Sequence, residues 1–298
     1  MNEGLMLLGL GPTPGEAVGR LVDDYLNLRR VAEGGESPRP VVSRVRDLVL
    51  VDLLGDLVMV VACDSNASIG EKPMDSLKQP YAEMGRSAVK VPLMEVIASG
   101  ATPILVVDAL CVEMEPSGKK IIAAIRGELE RAGLAQDIEL TGSTEDNART
   151  VQSGIGVTVI GLATRRSLRL RTTTAGDAIV CVGIPKSGVT TPYKEDDTDI
   201  AHVSTVMTLS RLPYIREILP VGSKGVRYEA TELARYAGLE LEEASPPPPI
   251  DMDTSAGAST AVLATLRPEH VPELRRTLVE PVFEIGAAAV PRTRHRMP

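Results

Sequence analysis

Four short stretches put carboxylates where the chain leaves an apolar run or turns a corner: CDS (63–65), MEVIASGA (94–101), VVDAL (106–110) and TGSTEDN (141–147). Acids at the mouths of strands converge without distorting a sheet. A hard cation such as Mg2+ takes a few such oxygens together with the phosphates of a substrate. Taken singly, each acid has a plainer role, because a strand-end Asp commonly forms a turn or caps a helix. After Asp64 the chain runs into SNASIGEKPMDS (65–76), a polar loop with no evident regular shape. It lacks GxxxxGK[ST] and so is not a P-loop. No Ser-His-Asp arrangement is available, since His202, His270 and His295 lie outside the four stretches.

Composition narrows the choices. The chain has 298 residues, 43% hydrophobic and 24% charged, enough for a substantial core and two domains. Aromatic residues are 2% and the net charge is −8, which disfavours stacking platforms and phosphate-backbone binders; no nucleic-acid partner is expected. Cys63, Cys111 and Cys181 lack metal or disulfide spacing and are expected as small buried hydrophobes. MNEGLMLLGLG has no basic leader and no apolar run suits a bilayer, so a cytoplasmic protein without a membrane partner is expected.

The elements that must position these acids follow from periodicity. Residues 13–33 have helical spacing, with Thr13 as cap and Pro14 at the first position. RDLVLVDLL and LVMVVACD, joined by Gly55-Asp56, read as an antiparallel hairpin. Residues 82–99 form a helix that Pro92 should kink or start. Strands follow around ATPILVVDALCVEM, IELTG and GIGVTVIGLA, with the helix GKKIIAAIRGELERAG between the first two. The basic run 164–178 marks a boundary. Beyond it come strands at DAIVCVGIP, STAVLATL and PVFEIGAA, and helices at HVSTVMTLSRL, YEATELARYAG and RPEHVPELRRTLVE. The order gives an α+β fold. KEDDTD (194–199) reads as a solvated loop or the border of an acceptor site, and GSKG (222–225) as a cap or a phosphate-holding turn.

Taken together, the order of these motifs resembles the superfamily of aminoimidazole ribonucleotide synthetase, selenophosphate synthetase, thiamine-monophosphate kinase and a hydrogenase-maturation dehydratase. Carrying the likeness are Asp-Ser after an apolar strand, a loose Gly/Lys loop, a helix acid five positions before Gly-Ala, and a Gly-polar-acidic turn. In the second half AGDAIVCVGIPKSG, PVGSKGVRYEATELARYAGLE and SAGASTAVLATL extend it, from about Val41 to Gly286. The wording ACDSNASIGEKPMD…MEVIASGATP…LTGSTEDN is most similar to the branch that includes α-ribazole kinase.

The resemblance implies a two-domain α+β fold. Residues 1–166 would hold a mixed, largely antiparallel sheet with helices, the ATP and metal site and a homodimer contact. Residues 167–298 would form an α/β sandwich-like domain that completes the cleft. It implies ATP and Mg2+, with Asp64, Glu95, Asp108 and either Glu145 or Asp146 as metal ligands. Asp64 and Lys72 are the expected catalytic residues. Gly70, Lys78, Gly142, Ser143, Thr144 and Asn147 are the expected nucleotide contacts, with SNASIGEK (65–72) a mobile flap over the phosphates. The implied activity is a kinase acting on the hydroxyl of a nucleoside-like small molecule. A ring-closing synthetase or a non-catalytic nucleotide-binding relative are the alternatives. The turn departs from the family's Gly-Gly-Asp/Glu-Thr, and Pro92 replaces its Asn.

Overall fold

Alternating burial along extended segments builds the first half of the molecule. The computed structural model describes residues 41–291 except Leu54, Val189, Thr190 and Glu195; the helix expected over 13–33 lies outside the described residues. β1 (Val42–Val45), β2 (Leu48–Asp52), β3 (Leu57–Ala67), β6 (Thr102–Leu110), β7 (Glu139–Thr144) and β8 (Gly154–Thr164) form one sheet in the order β1-β2-β3-β8-β6-β7. All neighbours are antiparallel except β6 and β7. That parallel pair needs a crossover, which the helix α2 (Lys119–Arg131) supplies. The expected hairpin is β2 with β3.

One face of this sheet, carrying Val58, Val60, Ala62, Val157 and Val159, is buried. The helix α1 (Tyr81–Ala98) packs on it. α1 runs through Pro92, which is neither a start nor an end; its buried ring lies in the packed face. On the opposite face the sheet carries no helix among the described residues, and Leu57 and Ile104 are each more than a third exposed. Strand alternation puts Cys63 on this open side, one residue from buried Ala62. Contrary to expectation, Cys63 and Cys111 are therefore exposed, and only Cys181 is buried.

The second half is a five-stranded antiparallel sheet, β10-β12-β9-β13-β11, made of β9 (Ala178–Val182), β10 (Ile215–Pro220), β11 (Glu240–Glu243), β12 (Val262–Leu266) and β13 (Val282–Ala289). Helices α3 (Val203–Arg211), α4 (Gly225–Tyr236) and α5 (Val271–Thr277) cover it. α1 also packs against α3 and β10, so one helix sits between the sheets. The core beneath it is continuous, from Val60 and Leu93 to Val206 and Ile218.

β10 is not evident in the sequence, because the central residue of IREILP is Glu217. That carboxylate is fully buried and completely engaged. It accepts from Arg46 Nη1 (3.2 Å), from the N–H groups of Arg171 (3.1 Å), Thr172 (3.1 Å) and Thr173 (3.3 Å), and from Thr173 Oγ1 (2.8 Å). Glu217 thus ties the segment leading into the second sheet to the β1–β2 turn.

The loop after β3 is not shapeless. β4 (Ile69–Gly70) pairs in parallel with β5 (Leu77–Lys78) around the buried carboxylate of Asp75. Asp75 accepts from Lys72 N–H (2.8 Å), Ser153 N–H (2.7 Å) and Ser153 Oγ (2.7 Å), and Tyr81 Oη lies 3.0 Å from the same hydroxyl. Burial alone would raise the pKa of Asp75, but these donors hold it below the ordinary value.

Candidate active site

The first sheet lines up part of the expected set. Asp64 on β3 and Asp108 on β6 both pair with Val157 of β8, and Asp108 is also level with Gly142 of β7. The two acids share the helix-packed face but stand two strands apart, about 10 Å. Asp108 is 3% exposed, and its Oδ1 has no hydrogen-bond partner. Burial pushes its pKa up to about 6, with Arg126 pulling the other way. Gly142 is required here, because a Cβ would overlap the Asp108 carbonyl and carboxylate.

Asp64 belongs instead with an acidic seam. Burial and Asp47, in the β1–β2 turn, raise its pKa against one hydrogen bond from the Ser65 backbone. Glu95, late on α1, is pushed to about 8 by burial and then by Asp47 and Asp64. Across the seam, Glu229 of α4 is pushed to about 7 by burial and Asp47. A small cavity touches Arg46, Asp47, Glu95 and Glu229 together. Glu95 Oε2 is buried without a hydrogen-bond partner. Asp47 and Glu229 escape sequence reasoning, since one looks like a turn residue and the other like a helix surface.

Lys72, Glu145 and Asp146 meet elsewhere, around a separate cavity. The Lys72 ammonium is ion-paired with Glu113, whose pKa is held at about 2: burial opposes the shift, and Lys72 and Ser117 outweigh it. Asp146 accepts from Met114 N–H (2.9 Å) and Thr144 Oγ1 (2.7 Å). Glu145 accepts from the N–H groups of Asn147 (2.7 Å) and Ala148 (3.1 Å). Ser143 is exposed on β7. Gly70 has φ +149°, and a Cβ there would lie 2.5 Å from Ser153 Oγ and 2.9 Å from Asp75 Oδ2. Lys78 donates to the carbonyls of Lys72 and Pro73, the latter at 3.0 Å.

The main concavity, about 860 Å3, opens between the two sheets. Lys78, Arg86, Arg131 and Lys194 bring cations to it, while Glu83, Glu128 and Asp196 bring acids. Tyr193 and His202 lie on the second-half wall. Arg86 Nε is buried with no hydrogen-bond partner. Asn66 also lines this cleft, and it follows Asp64 by two residues on the same face of β3. The cleft therefore begins about 7 Å along the strand from the acidic seam. α1 joins the two regions, with Arg86 at the cleft and Glu95 at the seam.

Among the described residues, no three His, Cys, Asp or Glu side chains come close enough to hold a metal ion by themselves. The donors nonetheless suit magnesium. They are hard oxygens, two have unpartnered buried atoms, and Mg2+ is commonly bound by one or two carboxylates plus substrate phosphates.

Residues 46–163 match the family AIR synthase related protein, N-terminal domain. The matched segment contains every expected site residue from Asp64 to Asn147. No curated protein matches the chain. Among solved structures, thiamine-monophosphate kinase from Stenotrophomonas maltophilia K279a superposes with a TM-score of 0.58 at 16% identity, covering 90% of this chain and 93% of that one. AaThiL complexed with AMPPCP and TMP gives 0.60 at 15%, covering 90% of each chain. The hydrogenase maturation protein HypE from E. coli gives 0.58 at 18%, covering 78% and 80%. The chain shares its fold with these proteins. Among the described residues no helix is long and apolar enough to cross a membrane.

Proposed function

We propose that this protein is a magnesium- and ATP-dependent phosphotransferase that acts on the hydroxyl of a nucleoside-like small molecule, with α-ribazole as the specific acceptor. The observation that carries this reading is the 860 Å3 cleft with cations and acids on its walls, beginning beside the Asp64 strand end. Its volume is near the top of the usual range for one ligand and has room for a nucleotide beside an acceptor. A shared fold with AaThiL, which was captured with AMPPCP, supports ATP as the donor.

In this reading Asp64 and Glu95, with Asp47 and Glu229 nearby, hold the cation, and Asp108 supports the row from the neighbouring strand. Glu145 and Asp146 stand with Lys72 around a separate cavity and are not part of that set. Magnesium supplies neutralisation of charge on the β- and γ-phosphates. Lys78 and Arg86 face the phosphates from the cleft wall, and Lys72 is positioned by Glu113. Gly70 adjoins Ile69 on the cleft wall, whereas Gly142, Ser143, Thr144 and Asn147 are not among the residues that line the cleft. The described parts of the two expected domains, 1–166 and 167–298, act as the two walls of the cleft. The face of the first sheet opposite α1, with Leu57 and Ile104 exposed among the described residues, supports a homodimer. The compartment we assign is the cytoplasm.

A ring-closing synthetase would use the same cleft, and the match to AIR synthase related proteins favours it as the second reading. The two differ in product: a phosphorylated acceptor in one case, free phosphate in the other. The test is ATP consumption by the purified protein with Mg2+ and a panel of nucleosides. The proposal expects ADP to appear with α-ribazole and to depend on it. ATP binding without turnover over the whole panel would overturn it in favour of a non-catalytic relative.

A further inference from the structure

Another cavity, about 640 Å3, lies at the other end of α1, where residues 166–169, the last turn of α3 and the start of β10 meet. Four guanidinium groups line it, Arg166, Arg169, Arg211 and Arg216, and no carboxylate does among the described residues. In a chain of net charge −8 this segregation of sign is a local reversal, and a cleft lined by one sign concentrates ions of the other.

The four arginines are not equivalent. Arg169 is fixed, with Nη1 donating to the Ile215 carbonyl (3.0 Å) and Nη2 to the Ser210 carbonyl (2.5 Å). It thereby covers the carbonyl end of α3, whose dipole would otherwise repel an anion. Burial lowers its pKa below the ordinary arginine value, the direction that a bound anion would reverse. Arg216 donates through Nε to Asp177 at 3.0 Å. Arg166 and Arg211 make no side-chain hydrogen bond or ion pair among the described residues. Their frame is rigid. Arg169 N–H donates to the Ser99 carbonyl at 2.8 Å, and Gly100, at φ +88°, lies so close to Ser167 that a Cβ would overlap its carbonyl. Leu134 and Met207 supply apolar wall.

Planar guanidinium forks match phosphate oxygens two at a time, and several forks on a fixed frame favour an anion with more than one phosphate. We propose that this arginine cavity binds a small polyphosphate anion, at a site separate from the acidic seam and the large cleft. The shared chemistry is a diphosphate, whether as inorganic pyrophosphate or as the phosphate end of a nucleotide.

Calorimetry on the full chain, with EDTA present to suppress magnesium-dependent binding elsewhere, tests this with pyrophosphate and ADP as probes. The expected result is pyrophosphate binding that weakens with salt and falls roughly tenfold or more in Arg166→Gln/Arg211→Gln. Arg131→Gln, in the large cleft, should leave it unchanged. Equal affinities for the two probes would identify the diphosphate itself as the ligand, and tighter ADP binding would identify a nucleotide. No binding to the natural sequence at millimolar pyrophosphate would overturn the proposal. So would an affinity untouched by the double substitution, or one lost in Arg131→Gln.

Discussion

Buried carboxylates in this protein occupy two kinds of surroundings. Glu217 in the second sheet and Asp75 in the β3–α1 loop are saturated with donors from backbone N–H groups, hydroxyls and, for Glu217, Arg46. Glu95 and Asp108 each keep a buried oxygen with no hydrogen-bond partner. The first kind holds distant segments together, and its charge is already compensated. The second is desolvated without compensation, so burial raises its pKa, to about 8 for Glu95 and about 6 for Asp108, and ionising it costs free energy that no donor offsets. Satisfied acids therefore mark architecture, and the unsatisfied ones are those to which the proposed function assigns a cation.

Replacing the satisfied acids should show the largest losses of stability. Glu217→Ala strands three N–H groups and the Arg46 guanidinium, so unfolding should become easier by about 3–5 kcal/mol. At this chain size that lowers the melting temperature by ~10 °C, and magnesium should not restore it. An unchanged melting curve would erase the distinction between the two kinds of acid. Asp75→Ala should cost less, ~2–3 kcal/mol, because fewer donors are stranded. Its sharper signature is protease cleavage within residues 68–79, and resistance there would show that Asp75 does not hold the loop.

Glu95→Gln should have the opposite sign. Glu95 has a folded-state pKa of about 8 against an ordinary 4.5, so the folded protein retains a proton that the unfolded chain releases. Wild-type stability should then fall as pH rises from 4.5 to 8 and stay low above that window. The Gln variant lacks that decline. At pH 9 it should be the more stable by about 1–2 kcal/mol, with no difference at pH 4. Thermal melts across that range check the sign, and equal curves at pH 9 would remove Glu95 from the strained group.

Much of the frame is legible in sequence because local rules govern it. Alternation and Gly55-Asp56 specify the β2–β3 hairpin, and Gly133 ends α2. What escapes depends on contacts far along the chain. β10 hides because Glu217 finds its donors at Arg46 and Arg171–Thr173, and the loop after Asp64 looks shapeless because Asp75 is secured by Ser153, 78 residues on. The identities of Asp64, Glu95 and Asp108 stand out as strand-end and helix acids, but their grouping does not. Sheet register puts Val157 between Asp64 and Asp108, while a hairpin turn and a second-half helix bring Asp47 and Glu229 to Glu95. Arg86 gave no signal in a helix rich in ordinary charges.

The most direct test of the central claim is ATP binding measured by calorimetry at pH 8, with and without Mg2+, for the natural sequence and Asp64→Asn. The account predicts binding that requires magnesium and weakens by ~100-fold in the variant, a loss of about 2.7 kcal/mol, while the melting temperature does not fall. Magnesium-dependent binding of equal strength in both proteins, or no nucleotide binding at all, would contradict it.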